Sequence, residues 1–171
     1  IESLSSGQCV YGIFLDESGC VIDDAIVYRL AQSKFMVVVN AGMAPRQRVD
    51  ILNLRENSYD EVMSVNLKGP FFLTQKVAGI MIDQADSDDH FCSCIINISS
   101  IAGILPLTRS ITYSDAKAAT HSFTKWLAVH MAQNYSGNIR VNAIAPGFML
   151  TDQNRFLLIQ EDSGELTERG M

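Results

Sequence analysis

The chain has 171 residues, long enough for one domain with a buried core. Apolar residues make up 47% and charged residues 19%, a globular balance that argues against disorder. The net charge of -6 argues against a nucleic-acid partner, which needs a basic surface, and no apolar run approaches the roughly 18 residues of a membrane span.

Taken in chain order, Tyr11 to Leu15 and Ala25 to Leu30 are short apolar runs on either side of Asp16-Glu17-Ser18-Gly19, and they predict a hairpin-like pair of strands. Phe35 to Val39 is a continuous apolar run that ends at Asn40-Ala41-Gly42, the pattern of a strand buried on both faces of a parallel sheet. Ser58 to Val65 reads as helix, with Ser58 and Glu61 spaced as a capping box. That helix is expected to run past Asn66 and Gly69-Pro70 into Phe71-Phe72-Leu73, with an irregularity near the proline. Gln84 to His90 is polar and reads as a loop, and Cys94 to Ile98 as a second buried strand closed by Ser99 and Ser100. Tyr113 to Gln133 carries apolar residues at steps of three or four and is the strongest predicted helix. Ile139 to Ala145 then forms a third buried strand, ended by Pro146-Gly147. From Phe35 onward the order strand, helix, strand, helix, strand indicates parallel α/β units.

The N-terminus has no basic region followed by an apolar stretch, so no signal peptide is visible. The chain begins at Ile1 and stops just after Glu168-Arg169-Gly170, which reads as a piece of something larger. Cys9, Cys20, Cys92 and Cys94 read as reduced thiols of a cytoplasmic protein, because Cys92 and Cys94 are too close for a Cys-x-x-Cys pair. His90, His121 and His130 form no metal-ligand spacing, so no metal is expected. His121 reads as a satisfied surface or groove residue.

Tyr113 and Lys117 are four apart on the strongest helix, so their side chains emerge on one face about a turn apart. A cation beside a phenol favours the phenolate, which makes such a tyrosine a proton donor and acceptor usable near neutrality. Ser100, at the end of the preceding strand, is placed to hydrogen-bond a substrate oxygen. Tyr-x-x-x-Lys alone is a weak signal; the wider pattern strengthens it. Asn40-Ala41-Gly42 after a strand, Asn66 in a helix, Ile96-Asn97-Ile98-Ser99-Ser100, Tyr113 thirteen positions after Ser100, and Pro146-Gly147 with Thr151 beyond follow in one order.

With those motifs the sequence resembles the short-chain dehydrogenase/reductase family. The resemblance implies a catalytic set of Asn66, Ser100, Tyr113 and Lys117. In it Tyr113 is the general acid/base, Ser100 polarises the carbonyl or hydroxyl, Lys117 holds the nicotinamide ribose, and Asn66 holds a relay water. It also implies an NAD or NADP cofactor, with Asn40, Ala41 and Gly42 on the adenosine side and Pro146, Gly147 and Thr151 at the nicotinamide end, beside Tyr113 and Lys117. The partners implied are a small carbonyl or alcohol substrate and a second copy of the chain, docked through the helices that bear Asn66 and Tyr113. The implied fold is α/β, a partial Rossmann-like doubly wound parallel sheet.

The family's opening strand, glycine-rich turn and helix have no counterpart before Asn40, because Gly7, Gly12 and Gly19 are scattered. The N-terminal βαβ glycine-rich unit is therefore missing or replaced. Tyr11 to Glu17, Gly19 to Asp24 and Ile26 to Leu30 resemble instead the aminomethyltransferase (T-protein) of the glycine cleavage system. That resemblance makes Asp23 or Asp24 the folate-contacting residue, though Cys20 replaces the usual glycine; the alternative is a pair of turn carboxylates facing water. Residues 43 to 100 look like an acyl-carrier-protein ketoreductase. Pro106 onward, through Trp126 and His130 to Leu158, resembles D-mannonate oxidoreductases (fructuronate reductases), so the sequence reads as a mosaic. The expected organisation is a single domain of residues 1–171, with an atypical segment 1–39 and a dehydrogenase core 40–171. The expected activity is NAD(P)-dependent interconversion of a carbonyl and an alcohol, on a sugar acid or a 3-oxoacyl substrate. An inactive fragment of the same fold, or a folate-dependent transferase, stands as the alternative.

Overall fold

The computed structural model describes residues 5–15, 21–31, 34–39, 50–107, 110–148, 155–160 and 163–167. It opens on a three-stranded antiparallel meander of β1 (Cys9–Leu15), β2 (Val21–Ala31) and β3 (Lys34–Val39), with β2 in the middle. β1 and β2 form the predicted hairpin, with Cys9 opposite Tyr28 and Ile13 opposite Asp24. Asp23 and Asp24 thus lie within β2 rather than in a turn.

β3 departs from its expected pairing. It runs antiparallel to β2, with Val39 opposite Ala25 and Met36 opposite Tyr28, instead of entering a parallel sheet. The reason is chain length: only residues 32 and 33 separate the two strands, whereas a parallel return needs a crossover of a dozen or more residues.

The α/β half begins with a 3-10 turn at Ile51–Asn53, where the Asp50 carboxylate accepts from Leu52 N at 3.0 Å. Helix α1 (Glu56–Met63) follows, then a π-helical turn (Ser64–Lys68) and helix α2 (Gly69–Ser87). α1 starts two residues before Ser58, and its N-cap, Arg55, makes no side-chain cap bond, so the expected capping box is not used. Ser58 N already donates to Arg55 O at 3.0 Å, inside the first turn, and Glu56 suits the positive helix start. α2 also runs through most of the expected loop, ending at Ser87.

The irregularity expected near Pro70 is the π-turn just before it. Proline offers no N–H to the preceding turn, and Gly69 N reaches back five residues to Ser64 O. Strand β4 (Ser93–Ile98), a 3-10 turn (Ile101–Gly103), helix α3 (Ile111–Asn134), strand β5 (Ile139–Ile144) and a short helix α4 (Arg155–Leu158) complete the chain.

β4 and β5 pair in parallel, Ile95 opposite Val141, with α3 as the crossover between them. This is the βαβ unit of a doubly wound α/β fold. Its core joins Ala78, Ile95, Leu127, Met131, Ile139 and Val141. Met131 and Ile139, each 1% exposed, are each stabilising by roughly 1.5–3 kcal/mol relative to an exposed side chain. The opposite sheet face is open among the described residues: Ile96 is 47% and Ile144 50% exposed, where burial on both faces was expected.

Candidate active site

The period-two alternation of β4 turns Ile95, Asn97 and Ser99 toward α3. Three polar contacts stitch the strand to that helix. Asn97 Nδ2 donates to Thr124 Oγ1 at 2.9 Å, Ser99 Oγ donates to Lys117 O at 2.9 Å, and Lys117 Nζ donates to Ile98 O at 3.0 Å. The buried Thr120 and Thr124 hydroxyls bond back to Ala116 O and Thr120 O, so the helix face toward the sheet carries polar groups that are satisfied.

Lys117 is only 1% exposed. Its ammonium sits over the face of the half-buried Tyr113 ring, 5.4 Å from the centroid, within cation–π range. Burial penalises the charged form and pulls the lysine down from 10.5 to about 8.

The ends of β4 and β5 are locked side by side. Ser99 N donates to Ile144 O at 2.8 Å and Ile101 N to Pro146 O at 3.0 Å, which sets Ser100 next to Pro146 and Gly147. Ligands in open α/β sheets bind at these carboxyl ends of the strands. Ser100 Oγ accepts from Ala102 N at 3.1 Å and so caps the 3-10 turn, while its O–H donates to no other described residue.

Gly103 closes that turn against α3. A Cβ there would stand 2.6 Å from Lys117 C and 2.8 Å from Lys117 O, so only glycine lets the Ser100 turn lie flat on the helix at the lysine.

Asn66 is buried in the π-turn at 1% exposure, its Nδ2 donating to Val62 O at 3.0 Å, and the turn packs against α3. π-turns recur at functional sites. Ser100, Tyr113, Lys117, Pro146 and Gly147 therefore converge on one end of the βαβ unit. Asn40, Ala41, Gly42 and Thr151 lie outside the described residues. Sequence reasoning passed over Ser99 and Gly103. The first was legible in the alternation that turns Asn97 and Ser99 to one side; the second rests on a distant contact with α3.

Ser100, Pro146 and Gly147 leave a hydroxyl and open backbone at the strand ends, which suits the nicotinamide end of a dinucleotide, whereas the described residues before Asp50 offer no helix N-terminus to a pyrophosphate. Among the described residues before Asp50 every regular element is an antiparallel strand. Gly7, at φ 86°, turns the chain into β1 rather than into a helix N-terminus. The backbone donors that cradle a pyrophosphate are thus not supplied by these residues. No group of His, Cys, Asp and Glu able to hold a metal occurs among the described residues.

The family model for short chain dehydrogenase matches residues 27–162, most of the chain. The protein belongs to the short-chain dehydrogenase family. The match begins at Val27 and so takes in β3 and the Asn40-Ala41-Gly42 tract. The chain is 44% identical over 117 residues to the uncharacterized oxidoreductase UxuB of Bacillus subtilis, covering 68% of this chain and 38% of that protein. It is 36% identical over 135 residues to 2-dehydro-3-deoxy-D-gluconate 5-dehydrogenase of Dickeya dadantii, covering 78% and 49%. A candidate D-mannonate oxidoreductase from Haemophilus influenza, solved with NAD bound, superposes with a TM-score of 0.58 at 37% identity, covering 75% of this chain and 42% of that one. This short-chain dehydrogenase chain spans less than half the length of each of those relatives. Among its described residues no helix is long and apolar enough to cross a membrane.

Proposed function

We propose that this chain carries the acid/base half of a cytoplasmic NAD(P)-dependent oxidoreductase that interconverts a carbonyl and an alcohol on a sugar acid of the fructuronate or mannonate type. The observation that carries the reading is the Lys117 ammonium, buried over the Tyr113 ring and tied to Ile98 O at the end of β4, next to Ser100. Tyr113 gives a proton to the carbonyl oxygen in reduction, or takes one from the alcohol in oxidation; NADPH or NADH would supply the hydride in the first direction, and NADP or NAD would accept it in the second. Ser100 donates its O–H to the same oxygen. Lys117 holds the nicotinamide ribose, and Asn66 holds a water that returns protons to the site. Pro146, Gly147 and Thr151 would contact the nicotinamide end of the cofactor, and Asn40, Ala41 and Gly42 its adenosine side, as the family pattern implies. The sugar-acid substrate is supported by the gluconate-type and mannonate-type relatives.

The test is NAD(P)H oxidation with fructuronate, with a 3-oxoacyl thioester in parallel. Tyr113→Phe is expected to lower turnover roughly 10²–10⁴-fold, the size of a general acid/base contribution. Unchanged activity in Tyr113→Phe sinks the role given to the phenol, and turnover of the thioester alone redirects the substrate reading.

A second reading follows from the pyrophosphate end, where the described strands supply no helix N-terminus. On that reading the chain keeps the family architecture without binding cofactor. Fluorescence titration with NADH and NADPH separates the two: submillimolar binding rejects the inactive reading, and its absence favours it.

The outer surface of the helices supports self-association. Met63, Leu67, Phe71 and Phe72 from the α1–α2 stretch and Phe123 and Trp126 from α3 line one open groove. Trp126 is 60% and Phe72 44% exposed. A second copy of the chain, laid helix to helix, covers these rings.

A further inference from the structure

We infer that Ser99 is a positioning residue for Lys117, and that His121 holds the Ser99 hydroxyl in the orientation this requires. The inference rests on the reading of Lys117 as the lysine of the acid/base site and adds the device that places it. Lys117 is gripped at both ends by consecutive residues, Ile98 at the end of β4 and Ser99 just after it. Its ammonium donates to Ile98 O at 3.0 Å, and its backbone carbonyl accepts from Ser99 Oγ at 2.9 Å. The two grips fix the helix backbone and the tip of a long side chain against one strand end. That removes the rotamer freedom a free lysine would keep.

A serine hydroxyl has one proton and can also accept. The Ser99 proton goes to Lys117 O, and the oxygen faces His121 Nε2 at 3.0 Å. A ring N–H donated from that nitrogen occupies the Ser99 lone pair and leaves the hydroxyl proton only the Lys117 carbonyl. Ser99 is 2% exposed, so water does not compete for either contact. His121 stands one turn after Lys117 on α3, so lysine, histidine and serine form one closed unit between helix and strand. Gly103 seals its far side, with the Lys117 backbone within 2.6–2.8 Å of where a Cβ would be.

The experiment follows the Lys117 side chain by NMR on the full chain carrying ¹³C-labelled lysine. Lys117 is assigned with Lys117→Met, and the Cε shift is titrated from neutral to alkaline pH. In the unaltered chain its midpoint is expected near 8, below the usual lysine value because burial disfavours the charged form. Ser99→Ala frees the carbonyl grip and lets water reach the amine. By relieving the burial that favours the neutral amine, it is expected to move the midpoint upward by roughly half a unit or more. Ser99→Thr keeps the hydroxyl and restores the original midpoint. His121→Ala sits at a half-buried helical position where alanine is well tolerated. It is expected to shift the midpoint in the same direction by less, and it carries the test if Ser99→Ala does not fold. An unmoved Lys117 midpoint in whichever of these variants is folded overturns the inference. Turnover is measured alongside: Ser99→Ala is expected to lower kcat roughly tenfold or more, as for a misplaced catalytic group, with KM for the carbonyl substrate nearly unchanged. If the unaltered chain shows no turnover, the catalytic reading of Lys117 fails while the Cε titration still decides the role of Ser99.

Discussion

Consider adding a single methyl group at Gly103. The Cβ of Gly103→Ala would stand 2.6 Å from Lys117 C, 2.8 Å from Ala118 N and 2.8 Å from Lys117 O. All three are main-chain atoms in the middle of a 24-residue helix, so no side chain can swing aside. The 3-10 turn or the helix must move as a body. Overpacking of this kind costs about 1–3 kcal/mol, and a backbone target puts the cost near the top of that range. The loss of unfolded-state freedom on replacing glycine by alanine offsets only about 0.4–1 kcal/mol. For a chain of this size each kcal/mol is worth roughly 2–4 °C, so Tm is expected to fall by roughly 5–10 °C. Thermal unfolding followed by circular dichroism measures it, with Gly79→Ala as the control. Gly79 is exposed within α2 and a Cβ there meets nothing within 4 Å. That change should instead stabilise by roughly 0.5–1 kcal/mol through helix propensity. The two substitutions are chemically identical and are expected to have opposite signs. A Gly103→Ala protein that melts at or above the parent temperature refutes the close approach of the Ser100 turn to α3.

Further outcomes are expected from the same contacts. Because the Lys117 ammonium is held near 8 against 10.5 for a free lysine, the unfolded chain binds more protons between those values, and stability rises with pH there. The gain is at most about 3 kcal/mol. Urea unfolding at pH 7.5 and pH 10 should show a gain in the unaltered chain that Lys117→Met lacks; equal pH dependence in both removes the buried-ammonium account. For the Asn97–Thr124 contact, a double-mutant cycle with Asn97→Ala and Thr124→Val should give a coupling of roughly 0.5–1.5 kcal/mol, and strict additivity would count against the contact. On the proposed self-association, the unaltered chain is expected to sediment as a dimer and Trp126→Glu, which places a charge in the apolar groove of α2 and α3, as a monomer; an unaltered chain that is itself monomeric removes the proposal.

Much of the site was readable because it is written locally. The Tyr113–Lys117 spacing is a property of one helix, the apolar run before Ser100 of one strand, and Pro146-Gly147 of one strand end. The hairpin of β1 and β2 was readable for the same reason, since its alternation and turn residues adjoin. What escaped was set by partners far away in sequence. Phe35 to Val39 has the composition of a buried parallel strand, but composition does not name a neighbour, and the two-residue link to β2 decided the pairing. Ser58 and Glu61 match a capping box, yet α1 begins earlier, so the motif lies inside the helix. Gly103 reads as an ordinary turn glycine until α3 is packed against it. Ser99 differs in kind: the side of β4 it occupies follows from alternation, but its grip on a helix carbonyl does not.

The open face of the β4–β5 pair governs how the protein behaves in concentrated solution. Ile96 and Ile144 stand on the side away from α3, each about half exposed, on the same face as Cys94 and Asn142, whose side chains meet at 3.4 Å. At low ionic strength the net charge of -6 keeps neighbouring molecules apart, so these side chains rarely meet. Salt shortens that repulsion from about 30 Å at 0.01 M to about 3 Å at 1 M, while apolar contact is left intact or strengthened. Colloidal stability therefore declines as salt is added. The strand alternation that seats Ser99 against α3 thus also leaves Ile96 and Ile144 on the face where salt-induced association is expected to begin.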